Sequence, residues 1–261
     1  MKKLFIVFAI VGIAAGASFF GQPRANATAD LQAGDLIRGE TFSAVYYYGA
    51  DGFRYVFPNQ ATYNTWYENF DDVRFISDAQ LGGIQIGGNI TYRPGTRMIK
   101  INTDPRTYAP GPNGTLRHVA SEAVAVELYG ANWNQMIDDM PDAFFTNYTV
   151  GDPINDDNDY SRNDLMAAAT SINEDRGLEA PAELSITDSA YSPTGVTIPV
   201  GGVVRFTNDG SENHTVTADD FSWGSGTIQP GESHVRQFDE AGTYTFYDTY
   251  NSQLTGAIFV Q

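Results

Sequence analysis

From Leu184 to its end the chain is written in short β-forming runs cut by turn dipeptides, a pattern that closes as a small all-β sandwich. The runs are Ser185-Ile186-Thr187, Val196 to Val200, Val203 to Thr207, His214 to Thr217, Ser233 to Phe238, Gly242 to Tyr247 and Gly256 to Val260. Gly201-Gly202, Asp209-Gly210, Pro230-Gly231 and Ala241-Gly242 mark the turns between them.

Residues 34–150 read differently, as an α+β region rich in Tyr, Phe, Trp and Gly. Two stretches correspond at an offset of about 62 residues, so two copies are expected, at about 36–97 and 98–150. Ile37-Arg38 matches Ile99-Lys100, and Asp51-Gly52 matches Asn113-Gly114. Arg54-Tyr55-Val56 matches Arg117-His118-Val119, and Trp66-Tyr67 matches Leu128-Tyr129. Each copy reads strand, turn, strand, helix, strand. Val45 to Tyr48 and Arg54 to Phe57 flank a Gly-containing loop, which signals a hairpin. Asn59 or Gln60 opens a helix through Trp66; Ser121-Glu122 opens its counterpart, which Gly130 ends. The aromatic residues suit core packing. The alternative is a sugar-stacking platform of Tyr46, Tyr47, Tyr48 and Tyr92, because consecutive strand residues point to opposite faces.

Residues 151–181 read as an acidic linker and a helix. Asp152, Asn155, Asp156, Asp157, Asn158 and Asp159 crowd its start. Counting a calcium loop from Asp157 puts oxygen ligands at Asp159, Ser161 and Asn163, but Arg162 at the sixth place and Ala168 at the twelfth. That excludes an EF-hand and leaves Asp157 and Asp159 as candidates for a looser calcium site, against a plain solvated linker. Ser161 caps a helix expected from Leu165 to Asn173, closed by Gly177 and Pro181.

The first 27 residues have the layout of a secretory signal: Met1-Lys2-Lys3, an apolar run from Leu4 to Phe20, and Ala25-Asn26-Ala27 as cleavage site. An uncleaved anchor is the alternative. Cleavage removes Lys2, Lys3 and Arg24 and no acid, taking the net charge of −17 three units lower, to −20. Such a surface repels nucleic acid and anionic membrane. With 18% charged residues the chain does not read as disordered, and without cysteine an exported chain must stand on its cores, on metal or on assembly.

Two resemblances bear on function. Phe42-Ser43-Ala44-Val45-Tyr46-Tyr47, Arg54 to Asn59, Thr91 to Thr96 and Pro141-Asp142-Ala143-Phe144-Phe145 resemble an uncharacterised repeat of exported, surface-located bacterial proteins. That resemblance implies surface location and no chemistry. In the last third, Phe206 to Asp209 followed by Asn213-His214-Thr215-Val216-Thr217 resembles the segment that carries the first histidine ligand of a cupredoxin. Gly226 to Ser233 resembles the family's middle hairpin, and Gly242 to Tyr247 the strand into its ligand loop. The likeness is to the amicyanin and plastocyanin branch and implies a Greek-key sandwich.

The same resemblance places Asp248 where the family has its Cys ligand, Asn251 at the second His and Leu254 at the Met, so His214 alone survives. Type 1 copper requires a thiolate and two imidazoles, which excludes a type 1 site at these positions. Asp248, His214 and Asn251 with water could still hold a borderline ion such as zinc; the plainer alternative is a relic hydrogen bond from His214 to Asp248. The chain has no G-x-S-x-G, H-E-x-x-H or P-loop. The expectation is a non-enzymatic exported surface protein, structural or adhesive, that meets itself, other envelope proteins or glycans. Its terminal strands could pair with a neighbouring copy. The alternative is a metal-binding or electron-transfer protein.

Overall fold

Two five-stranded sheets with one shared hydrogen-bonding pattern precede a two-sheet sandwich in this computed structural model, which describes residues 31–261. The expected signal segment at 1–27 lies outside the described residues. Among the described residues no helix is long and apolar enough to cross a membrane.

The first sheet contains β1 (Leu36–Arg38), β2 (Tyr46–Tyr48), β3 (Arg54–Val56), β4 (Val73–Phe75) and β5 (Ile86–Asn89), in the order β4-β1-β2-β3-β5. The second contains β6 (Met98–Ile101), β7 (Asp104–Gly111), β8 (Thr115–Val119), β9 (Ile137–Met140) and β10 (Thr149–Ile154), in the order β9-β6-β7-β8-β10. In each, a three-stranded antiparallel meander is flanked by one parallel strand on either edge. Ile37 and Ile99 occupy corresponding strands, as do Tyr55 and His118.

Helix α1 (Gln60–Trp66) starts where Asn59 accepts the Thr62 N–H at 2.8 Å, and α2 (Asp78–Gly83) starts at a Ser77–Gln80 capping box. In the second lobe α3 (Glu122–Tyr129) is capped by Ser121 and ends at Gly130, whose φ of +81° suits glycine. The short α4 (Asp142–Phe145) follows β9.

Both faces of these sheets are covered, so alternate strand residues are buried on opposite sides. Leu36, Tyr47 and Tyr55 enter one core with Phe57, Tyr63 and Ile172. Ile37 enters another with Ile76, Leu81 and Ile84, against which Tyr46 and Tyr48 pack. Tyr47 and Tyr92 are buried core residues, and Tyr46 and Tyr48 are half-buried, so the four do not form an exposed sugar platform.

The boundary expected at residue 151 falls inside β10, which pairs with β8 as far as Ile154. The following segment is packed rather than a solvated linker. Tyr160 is buried; its hydroxyl donates to the Pro110 carbonyl at 2.6 Å and accepts the Gly95 N–H at 3.1 Å. Arg162 donates to the carbonyls of Gly95, Leu128 and Thr96 and lies 4.1 Å over the Tyr129 ring. The single helix expected from Leu165 to Asn173 is two, α5 (Arg162–Ala168) and α6 (Ile172–Arg176), because Ser171 caps a new start. Gly177 ends α6 in the left-handed conformation.

The last domain pairs two four-stranded sheets. One runs β12 (Tyr191–Ser192), β11 (Ala182–Ile186), β14 (Val203–Asn208), β16 (Ser233–Gln237). The other runs β13 (Gly195–Ile198), β18 (Thr255–Val260), β17 (Gly242–Tyr247), β15 (Thr217–Ala218). Tyr191, Phe206, Phe246, Ile258 and Trp223 fill the space between them, with edge-on aromatic contacts at 5.0 Å and 5.6 Å. The run His214 to Thr217 is a strand only at its end; at His214 it makes an isolated bridge to Ile228. Strand β12 is too short to read from sequence.

The sandwich is seated on the first lobe. Edge strand β16 places Val235, and β14 places Val203, against that lobe's core, and the Val235 N–H donates to Gln85 Oε1 at 2.8 Å. An edge that would otherwise be open to pairing is covered from within the chain.

Candidate functional site

Three loops of the sandwich build a cluster of one histidine and two carboxylates. The first, 208–214, is pinned by Asn208, which is fully buried at the end of β14. Its Nδ2 donates to the Glu212 and Ile228 carbonyls, each at 2.8 Å, and its Oδ1 accepts the Gly210 N–H. His214 follows and is buried. The second loop starts at Asp248, directly after β17, and closes by Asp248 N–H to Leu254 O at 3.0 Å and Leu254 N–H to Asn251 O at 2.9 Å. The third is the turn between β11 and β12, which carries Asp188.

These loops place one imidazole between two carboxylates. His214 Nδ1 is 2.8 Å from Asp248 Oδ2, and His214 Nε2 is 3.2 Å from Asp188 Oδ1. Asp248 is 0% exposed, and its Oδ1 accepts the Thr215 N–H at 2.9 Å, the Thr215 hydroxyl at 3.1 Å and the Tyr250 N–H at 3.1 Å. These donors satisfy an oxygen that has no access to water. Asp188 lies at the surface and accepts from the Ser211 hydroxyl and N–H and the Glu212 N–H. Those hydroxyl and amide donors, with His214, hold its carboxyl well below the usual range.

Both ring nitrogens face carboxylate oxygens, and only the imidazolium can donate from both. Burial opposes that charge, but the bonds to Asp248 and then Asp188 outweigh it and raise the His214 pKa above its ordinary value. His214 thereby links the loop after β17 to the β11–β12 turn, and it donates to both carboxylates when protonated. The other histidines lie elsewhere. His118 is on β8, edge-on to Tyr108, and His234 is on β16, where burial first and Arg236 second push its pKa down to about 4.

Of the residues singled out from sequence, His214 and Asp248 are brought together. Asn251 is not part of that array: its Oδ1 accepts the Gln253 N–H within its own turn, although it and His214 border one open depression of about 500 Å³. Leu254 is buried in the sandwich core. Asp157 and Asp159 belong to a short 3-10 turn, the Asp159 carboxylate accepts the Asn155 N–H at 2.9 Å, and the Asp156 carboxylate caps the turn. Among the described residues no group of three or more His, Cys, Asp or Glu is placed to hold a metal ion. Asp188 and Thr215 join the array without a sequence signal; an acid in a turn beside a two-residue strand gives no sign of where it points.

A family profile described as a cupredoxin-like domain matches residues 165–260. The C-terminal domain is cupredoxin-like. The solved structures it resembles include a purple cupredoxin from Nitrosopumilus maritimus, 26% identical, covering 31% of this chain and 99% of that one with a TM-score of 0.29. They also include a reduced Cu(I) form of a mutant amicyanin, 20% identical, covering 32% of this chain and 84% of that one with a TM-score of 0.30. No curated protein matches the chain.

Copper does not fit the residues of this cupredoxin-like domain. The chain has no cysteine, so no thiolate is available from any segment. Leu254 has no donor atom, no second imidazole is nearby, and the Nδ1 side of His214 already faces Asp248. A type 1 site needs sulfur and two imidazoles together.

Proposed function

We propose that this is an exported, non-enzymatic protein of the cell surface, structural or adhesive, in which the cupredoxin-like domain is a rigid module rather than an electron carrier. The observation that supports this reading is the closed Asp248–His214–Asp188 array. With a carboxylate on each ring nitrogen, the imidazole has no free position for a metal or for a substrate proton. The acidic charge, the signal-like start and the resemblance of residues 34–150 to surface-protein repeats supply the rest of the reading. Its partners would be other copies of the chain, further envelope proteins or glycans.

Two measurements on the purified full chain test this. Titration with Cu(II) is expected to give no intense visible charge-transfer band, and electron microscopy is expected to show an ordered lattice, filament or surface coat. Stoichiometric copper with such a band would overturn the reading in favour of the second one, a metal-binding or electron-transfer protein, which the family match favours. A monodisperse monomer that binds a small ligand would overturn the structural role.

A further inference from the structure

Four Asn-x-Thr triplets occur among the described residues: Asn89-Ile90-Thr91, Asn113-Gly114-Thr115, Asn147-Tyr148-Thr149 and Asn213-His214-Thr215. The triplet is a glycan-acceptor pattern in exported chains, but it recurs by chance, so surroundings must decide. Asn89 and Asn147 are tied to each other, Asn89 Nδ2 donating to Asn147 Oδ1 at 2.9 Å, and both are half-buried. Thr91 is buried as well. At the last triplet Asn213 is exposed, but Thr215 is buried with its hydroxyl on Asp248 and Thr249.

Asn113 differs from the other three. It stands exposed at the tip of the turn between β7 and β8, held outward by a left-handed backbone with φ +50° and ψ +43°. Its backbone N–H is anchored by Asp175 Oδ1 at 3.1 Å, while its side-chain amide makes no hydrogen bond among the described residues. Thr115 is half-exposed, and its hydroxyl likewise has no partner among them. Asn113 borders an open cleft of about 690 Å³ between the lobes and the sandwich, so there is room for a bulky substituent.

We propose that Asn113 is a site of N-linked glycan attachment. The donor class is an oligosaccharide carried on a polyprenyl phosphate. The Asn113 amide nitrogen bonds to the anomeric carbon, the bond from that carbon to the phosphate oxygen breaks, and the leaving phosphate takes the electron pair and, in balance, the amide proton. This rests on the export proposed above, because such donors face the outside of the membrane.

The test is mass spectrometry of the full chain purified from the cells that make it, with cell fractionation in parallel. Trypsin releases Thr107 to Arg117, in which Asn113 is the only asparagine. The expected result is that peptide carrying a saccharide mass with sugar fragment ions, lost in Asn113→Gln and Thr115→Ala and kept in Thr115→Ser. An unmodified peptide from envelope-located protein overturns the glycan alone. So does a peptide heavier by about one dalton, the deamidation expected of an Asn-Gly pair. Recovery of the protein in the cytosol overturns export, and this inference with it.

Discussion

His214 Nδ1 and Asp248 Oδ2 lie 2.8 Å apart and join two loops of the sandwich. The hydrogen bond between them fastens the 208–214 loop to the loop after β17. Because the imidazole titrates, the strength of that fastening depends on pH.

Because the bonds to Asp248 and Asp188 raise the His214 pKa above 6.5 against the opposing effect of burial, the charged array stabilises the fold fully below that value. The contribution is lost as pH rises through the elevated folded pKa. Thermal unfolding followed from about pH 5 to about pH 9 is expected to show a falling midpoint over the upper part of that range. His214→Gln should lack this slope, and an NMR titration of the His214 ring should report the raised midpoint. A ring that titrates below the free-histidine value would sink the assignment.

Removing the buried carboxylate leaves the buried imidazole without its Nδ1 partner and three donors without their acceptor. Asp248→Ala is expected to cost about 3–5 kcal/mol in denaturant unfolding. Asp248→Asn should cost less, because its oxygen can still accept from Thr215 while its Nδ2 donates to a neutral His214. It should also flatten the pH slope. An alanine variant as stable as the parent would show the array to be incidental.

Restoring the family's donors should restore the metal. Asp248→Cys combined with Asn251→His and Leu254→Met is expected to bind one copper ion with an intense visible absorption band. Copper taken up equally by the parent chain would show that the Asp248–His214–Asp188 array does not close the site to metal.

The packed segment after β10 makes its own prediction. Gly95 has φ +76°, and a Cβ there would come within 2.5 Å of the Arg162 carbonyl oxygen. Gly95→Ala is expected to destabilise the chain by more than about 2 kcal/mol through backbone strain and that clash together. Arg162→Ala should also destabilise, since three carbonyls and the Tyr129 face lose their cation. Both variants should expose residues 155–170 to limited proteolysis. If that segment is cleaved as readily in the parent chain, it is a linker after all.

Much of this was legible in the residues themselves. The hairpin around Asp51-Gly52, the caps at Asn59, Ser121 and Ser161, and the strand runs after Leu184 other than His214 to Thr217 follow from local rules, and the structure has them. The meeting of His214 with Asp248 was legible through family spacing. Three other features were not. Residues 151–181 look like a solvated acidic stretch because their composition is polar, yet Tyr160 and Ile172 bury into the two lobes. The tyrosines of β2 look like a ligand platform because alternate residues usually face water, yet this sheet is covered on both faces. Asp188 gives no local sign that its turn ends beside an imidazole.

The sequence by itself determined the sandwich and the lack of any thiolate for a blue copper site, because turn chemistry, strand periodicity and the absence of cysteine are local or compositional facts. Tertiary structure alone decided that His214 sits between two carboxylates, that β16 docks on the first lobe through Val235 and Gln85, and that the Asn113 side chain stands clear at its turn. These depend on which distant segments the cores draw together, and hydrophobic burial is non-directional: it says that residues will be covered but not by what.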